Sequence, residues 1–201
     1  MRDASMTEQL DQYLESRFGI ETLASFRKAG GIVRFPLDVE PRADEETRLR
    51  GAVTTASALF EQLFQPGEKG YMACFCWTEK RSDEDPVPRV LEAVNADVEY
   101  STGQNFYGTE SSDEAIMFTR LVAAVVPRAL DYPSVFAATA NADLGRLPTT
   151  SWRTFFVNES EPLLFHMYDD RGVDVLSGSP SAAARVDTAA SAIARPGESE
   201  D

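Results

Sequence analysis

Apolar and polar positions alternate most regularly between Leu163 and Leu176, where the chain reads LLFHMYDDRGVDVL. Leu163, Phe165 and Met167 alternate with Leu164, His166 and Tyr168, and Val173 and Val175 flank Asp174. A period of two belongs to a strand, so the stretch predicts a β-hairpin closed by Asp169-Asp170-Arg171-Gly172. Asp suits the first corner because its carboxylate bonds the backbone two residues on, and Gly172 is expected to take a positive φ at no steric cost. Trp152 to Val157, turned back by Asn158-Glu159-Ser160-Glu161-Pro162, adds a strand before the hairpin and makes a C-terminal antiparallel meander.

Earlier in the chain the period lengthens. Leu10, Tyr13, Leu14 and Phe18 fall at helical spacing, with Thr7 as the expected cap and Gly19 as the stop, and Leu23 and Phe26 suggest a further short turn of packing. Ile32 to Leu37 reads as a strand interrupted by Pro36, which lacks a ladder donor, so the strand is expected to lie at an edge or to end at Phe35. Asp44 opens the longest helix, over about 43–64, whose Leu49, Ala52, Val53, Ala56, Leu59, Phe60, Leu63 and Phe64 form a sustained apolar face. Tyr71 to Trp77 contains no charge, as in a strand covered on both faces, and is expected to be central.

Asp85-Pro86 has the form of a helix start, with the helix running to about Val94. The polar stretch from Asn95 to Glu114 carries Tyr100, Phe106 and Tyr107 and reads as a long irregular binding loop. A strand over 115–126, whose end AAVVPRAL could equally begin a helix, a short helix from Pro133 to Ala142, and an alanine-rich helix over 180–194 complete the pattern, with 195–201 an acidic tail expected to be disordered. Together these elements predict one α+β domain over 1–194, with a mostly antiparallel sheet of five or six strands and its helices packed on one face.

Charge narrows the choice of partner. Nineteen Lys and Arg against 33 Asp and Glu give a formal net charge of −14 over 201 residues. Such a surface repels nucleic-acid phosphates and anionic lipid, whereas it favours a basic partner or simply aids solubility. No apolar run reaches membrane-spanning length, and the first residues, MRDASMTEQL, lack a signal-peptide core, so a cytoplasmic location is expected. Cys74 and Cys76 are read as facing opposite sides of the central strand, unable to join in a disulfide. With one histidine and no further cysteine, no metal or cofactor is expected.

Chemistry-bearing residue types cluster only in the hairpin: His166, Asp169, Asp170, Arg171 and Asp174. A histidine near carboxylates could act as a general base, and paired carboxylates could hold a divalent cation. The competing reading is structural, with the aspartates as turn residues, Arg171 paired to Asp174 or solvated, and His166 packed beside Tyr168. The run Phe165, His166, Tyr168, Asp169, Asp170, Arg171, Gly172 and Asp174, preceded by WRTFFVNESEPLLF and DLGRLP, resembles the signature of a bacterial family known as domain of unknown function 3885. That resemblance is strong over about 140–178, looser before it, and absent from Asp97 to Asp113; it implies a fold unit and no activity.

Function is therefore expected to be that of a non-catalytic protein-binding module of the immunity or inhibitor type, directed at a basic protein. Its contact would comprise Tyr168, Asp169, Asp170, Arg171 and Asp174 with Tyr100 and Tyr107 of the preceding loop. The alternatives are a hydrolase-like or metal-assisted enzyme centred on His166, Asp169 and Asp170, and a sensor binding a small ligand beside the hairpin.

Overall fold

A computed structural model describes residues 4–37, 44–76, 85–105, 116–142 and 144–193. Helix α1 (Met6–Phe18) starts before the expected cap Thr7: Ser5 is its N-cap, its hydroxyl accepting from the Glu8 amide while the Glu8 carboxylate accepts from the Ser5 amide. This reciprocal box satisfies two of the amides that every helix start leaves unpaired. A 3-10 turn (Leu23–Lys28) buries Leu23 and Phe26, and strand β1 (Val33–Pro36) follows. Helix α2 (Glu45–Leu63), capped by Asp44, runs into strand β2 (Gly70–Cys76), all seven of whose residues are buried.

Helix α3 (Pro86–Ala93) begins at Asp85, as its Asp-Pro start predicts. The polar stretch that follows is not a loop throughout. Residues 98–105 form strand β3 (Val98–Asn105), which pairs along its length with β4 (Ile116–Val125). Being at an edge, β3 needs no apolar run to form, because pairing to β4 supplies its backbone bonds while the side chains of 98–102 stay partly or fully wet. Helix α4 (Tyr132–Ala142), strands β5 (Arg153–Asn158), β6 (Leu163–Asp169) and β7 (Gly172–Ser177), and helix α5 (Pro180–Ile193) complete the order. Trp77, Phe106, Tyr107 and the tail at 195–201 lie outside the described residues.

Among the described residues seven strands make one antiparallel sheet in the order β1-β7-β6-β5-β2-β4-β3, one strand more than the upper expectation. The uncharged β2 lies inside it, between β5 and β4, and Pro36 sits in the edge strand β1. Helices α2 to α5 cover one face, where Phe60 and Phe64 meet Phe156 and Phe165. Helix α1 and the 3-10 turn cover the other, setting Leu10, Leu14 and Phe26 against Tyr71, Phe75, Phe155 and Val157. The expectation that all helices share one face is thus corrected for α1. A strand as apolar as β2 exposes both its sides unless something shields each, and α1 supplies the second cover. Arg120 of β4, 5 % exposed, fastens that cover with two bonds to Asp11 at 2.7 and 2.9 Å.

Cys74 and Cys76 are also corrected. Residues two apart on a strand share a face, and both thiols enter the α2 side of the core. They form no disulfide, Cys74 Sγ lying 3.5 Å from Thr154 Oγ1 and Cys76 Sγ donating to Ser151 Oγ at 3.4 Å. Burial pushes the Cys74 thiol up to about 12, so it is held as an inert core side chain.

Candidate functional site

Strands β6 and β7 form the predicted hairpin, and Asp169 bonds the Arg171 amide at 2.7 Å as its turn position requires. Glycine at 172 has a different cause from the expected one: its φ is not positive. The extra residue in this hairpin is Tyr168, bulged between Met167, which pairs with Val173, and Asp169, which pairs with Gly172. The bulge swings the Tyr168 ring across Gly172, so that a Cβ there would lie 2.0 Å from the Tyr168 hydroxyl and 2.5 Å from Cζ. Arg34 lies 5.2 Å from the centroid of the same ring.

This geometry replaces backbone strain with a ring clash, and the two make different predictions. Gly172→Val or Gly172→Ala is expected to cost about 1–2 kcal/mol, because either pushes the ring off its seat beneath Arg34. In Tyr168→Ala, the Gly172→Ala change is expected to cost almost nothing. Urea denaturation of the four proteins of this cycle checks it; an equal cost in both backgrounds would reject the ring as the cause.

The three aspartates of the motif are turned inward and each meets an arginine. Asp174, 2 % exposed, accepts two bonds from Arg34 of β1, at 2.7 Å from Nε and 3.0 Å from Nη2. Asp170 pairs with Arg48 of α2 at 3.0 Å. Asp169 is held by the Arg171 guanidinium, with Nε at 2.8 Å, whereas the structural reading of the sequence has Arg171 paired with Asp174 or facing water. The Arg171 carbonyl accepts from the Leu37 amide, tying the tip to the end of β1. Sequence reasoning does not single out Arg34 or Arg48, because their partners are more than a hundred residues away. One signal is available: Arg34 in Val-Arg-Phe and Asp174 in Val-Asp-Val are single charges on otherwise apolar strands, and antiparallel pairing sets them opposite each other.

His166 is 2 % exposed and sits against Phe155, stacked at 4.2 Å between centroids, and edge-on to Phe26 at 6.1 Å. Its Nδ1 lies 2.9 Å from the Thr154 carbonyl, so Nδ1 carries the proton, and Nε2 is left a buried acceptor without a partner among the described residues. No carboxylate among the described residues bonds the ring. Burial, with Arg153 and Arg27 adding to it, pushes its pKa down to about 4 against the favourable Thr154 bond and Asp174.

A folded pKa below the unfolded value means that the unfolded chain takes up the proton first as pH falls. The stability carried by neutral His166 is therefore complete above about 6.5 and is lost toward about 4, in total on the order of 3 kcal/mol. The single histidine gives one imidazole C2 proton to follow by NMR. It is expected to titrate near 4 in the folded protein, and a midpoint above about 6 would reject the buried neutral ring.

Beside these groups the surface opens into a cleft of about 490 Å³. The 3-10 turn contributes Arg27, β1 and its approach contribute Ile32 and Arg34, and the hairpin contributes Tyr168, Asp169, Arg171 and Asp174. Tyr168, Asp169, Arg171 and Asp174 of the expected contact thus line one cleft, and Asp170 is drawn to α2 behind the tip. Tyr100 is 54 % exposed on β3 at the far edge of the sheet, four strand spacings or about 20 Å from β6, and does not join them. Among the described residues no three His, Cys, Asp or Glu side chains converge as a metal would need, and no helix is long and apolar enough to cross a membrane.

Comparison with curated proteins and with solved structures returns no match. A family model does match, over residues 7–188, and so takes in both helical layers, the whole sheet and the cleft. The chain therefore belongs to the family described as Domain of unknown function (DUF3885).

Proposed function

We propose that this protein is a non-catalytic binding module whose recognition site is the hairpin end of the sheet. The observation that carries the reading is the internal saturation of the motif. A general base must be reachable and oriented by an acid, yet His166 is buried, neutral and faced by aromatic rings. Carboxylates that activate water or hold a cation need free oxygens, yet both oxygens of Asp169 and of Asp174 accept hydrogen bonds, and Asp170 is ion-paired through Oδ2 with Arg48. What the same segment offers to solvent is an open cleft and the exposed Arg171.

A basic protein partner remains favoured by the net charge of −14. With the hairpin carboxylates turned inward, such a partner would meet exposed acids such as Glu15, Glu21 and Glu159. The two buried thiols, not joined in a disulfide, suit a reducing compartment, and the reading places the protein in the cytoplasm.

The test is a panel of ester, amide and phosphoester substrates, with and without divalent cations, run beside His166→Ala and Asp170→Asn. No turnover above buffer is expected. Turnover lost in both variants while the near-ultraviolet spectrum stays native would overturn the reading. Capture from host lysate at low and moderate salt addresses the basic partner: a stoichiometric complex that weakens as salt rises is the expected result.

A further inference from the structure

Resting on that binding reading, we infer that the cleft beside the hairpin takes a small oxyanion, a free molecule bearing a carboxylate or phosphate, which Arg27 and the unused donors of Arg34 hold beside the Tyr168 hydroxyl. The argument begins with charge. Among the described residues, three guanidinium groups and two carboxylates line the cleft. Asp174 is matched by Arg34 and Asp169 by Arg171, each through two bonds to the guanidinium. Arg27 is exposed and makes no salt bridge among the described residues, which therefore leave one guanidinium at the cleft without a carboxylate partner in a chain of net charge −14.

Geometry adds to charge. A guanidinium has five N–H donors in a planar fork, and Arg34 spends its Nε and Nη2 on Asp174, leaving Nη1. The Asp174 pair fixes the Arg34 fork at the cleft wall, so an arriving oxyanion meets a donor already oriented. The Tyr168 hydroxyl is brought to the same wall by the bulge over Gly172. A cation would find both carboxylates already bonded and would have to displace an arginine to reach either. The volume, about 490 Å³, lies within the range of small-molecule sites.

The experiment is a titration of the full chain, followed in amide correlation spectra, with sodium phosphate and with sodium succinate, ionic strength being held constant with chloride. Choline and a cocktail of neutral fragments are run in parallel. Saturable shifts confined to the neighbourhood of Arg27, Arg34, Tyr168 and Asp174 are expected with at least one oxyanion. Affinity should fall about tenfold or more in Arg27→Gln, and less in Tyr168→Phe, with melting temperatures unchanged. Arg50→Gln, an exposed arginine on α2 away from the cleft lining, should change nothing.

Saturation by phosphate alone identifies a phosphoryl group, and by succinate alone a carboxylate; either supports the inference. Neither anion saturating above chloride overturns it, as does saturation that Arg27→Gln leaves intact. If choline or a neutral fragment then saturates the same residues, the cleft still binds and only its anionic preference falls. Silence from every probe removes the cleft as a small-molecule site as well.

Discussion

Replacing Phe60 by alanine is expected to cost about 4 kcal/mol of folding stability. Phe60 has no exposed surface and stands where α2, α4 and the sheet meet. It stacks on Phe64 one turn along α2 at 4.3 Å and lies 4.5 Å from Tyr132 of α4. It also meets Phe156 of β5 and Phe165 of β6 edge-on at 4.9 and 5.2 Å. Truncation removes the transfer energy of the ring and also opens a cavity that rigid aromatic neighbours close poorly. Phe60→Leu keeps most of the volume and is expected to cost about 1.5 kcal/mol, chiefly through the lost edge-to-face contacts. Urea denaturation measures both, and an alanine cost under about 1.5 kcal/mol would show that the core relaxes around the gap.

A single added methyl at Gly70 is expected to do nearly as much damage, about 3 kcal/mol or more. Gly70 opens β2 and faces Asn158 of β5 across the ladder. A Cβ there would lie 1.9 Å from the Val157 carbonyl oxygen and 2.9 Å from its carbon, both backbone atoms. Backbone cannot rotate out of the way as a side chain can, and β2 is held on its other side by β4, so the strands must part or twist. Gly67, three residues earlier, is the control. It sits at φ 84 with nothing within 4 Å of where a Cβ would stand, and Gly67→Ala should cost only the strain of a left-handed alanine, about 1 kcal/mol. Similar costs at the two positions would mean that close strand approach is not the constraint at Gly70. The contrast with Gly172 is of the same kind, because there the obstacle is the movable ring of Tyr168.

Much of the architecture is legible in the chain. Helical spacing of Leu49, Ala52, Ala56, Leu59, Phe60 and Leu63 marks α2 to within two residues, and Asp-Pro marks the start of α3. Alternation from Leu163 to Leu176 marks the β6–β7 hairpin, and the uncharged run after Tyr71 marks a strand covered on both faces. These are local properties, since the period of burial along one element is written in that element's own residues. Strand β3 escapes such reading for the complementary reason: an edge strand with wet side chains carries no apolar period, and only its pairing with β4 makes it a strand.

The candidate site is legible as a list of residues and not as an arrangement. His166 and three aspartates stand close together in the chain, which suggests an acid–base cluster. Folding instead turns His166 into the aromatic layer and turns Asp170 and Asp174 toward arginines from elsewhere, 140 residues away for Asp174. By itself the sequence determined most of the elements, the caps at Asp44 and Asp85, and the hairpin with Asp169 at its corner, because each depends on residues within a few positions of one another. Tertiary structure alone decided which face α1 covers, why residue 172 must be glycine, and which charges meet at the cleft. Those depend on strand register and on the packing of segments far apart in the chain, and no local pattern encodes the distance between two side chains that only the finished sheet brings together.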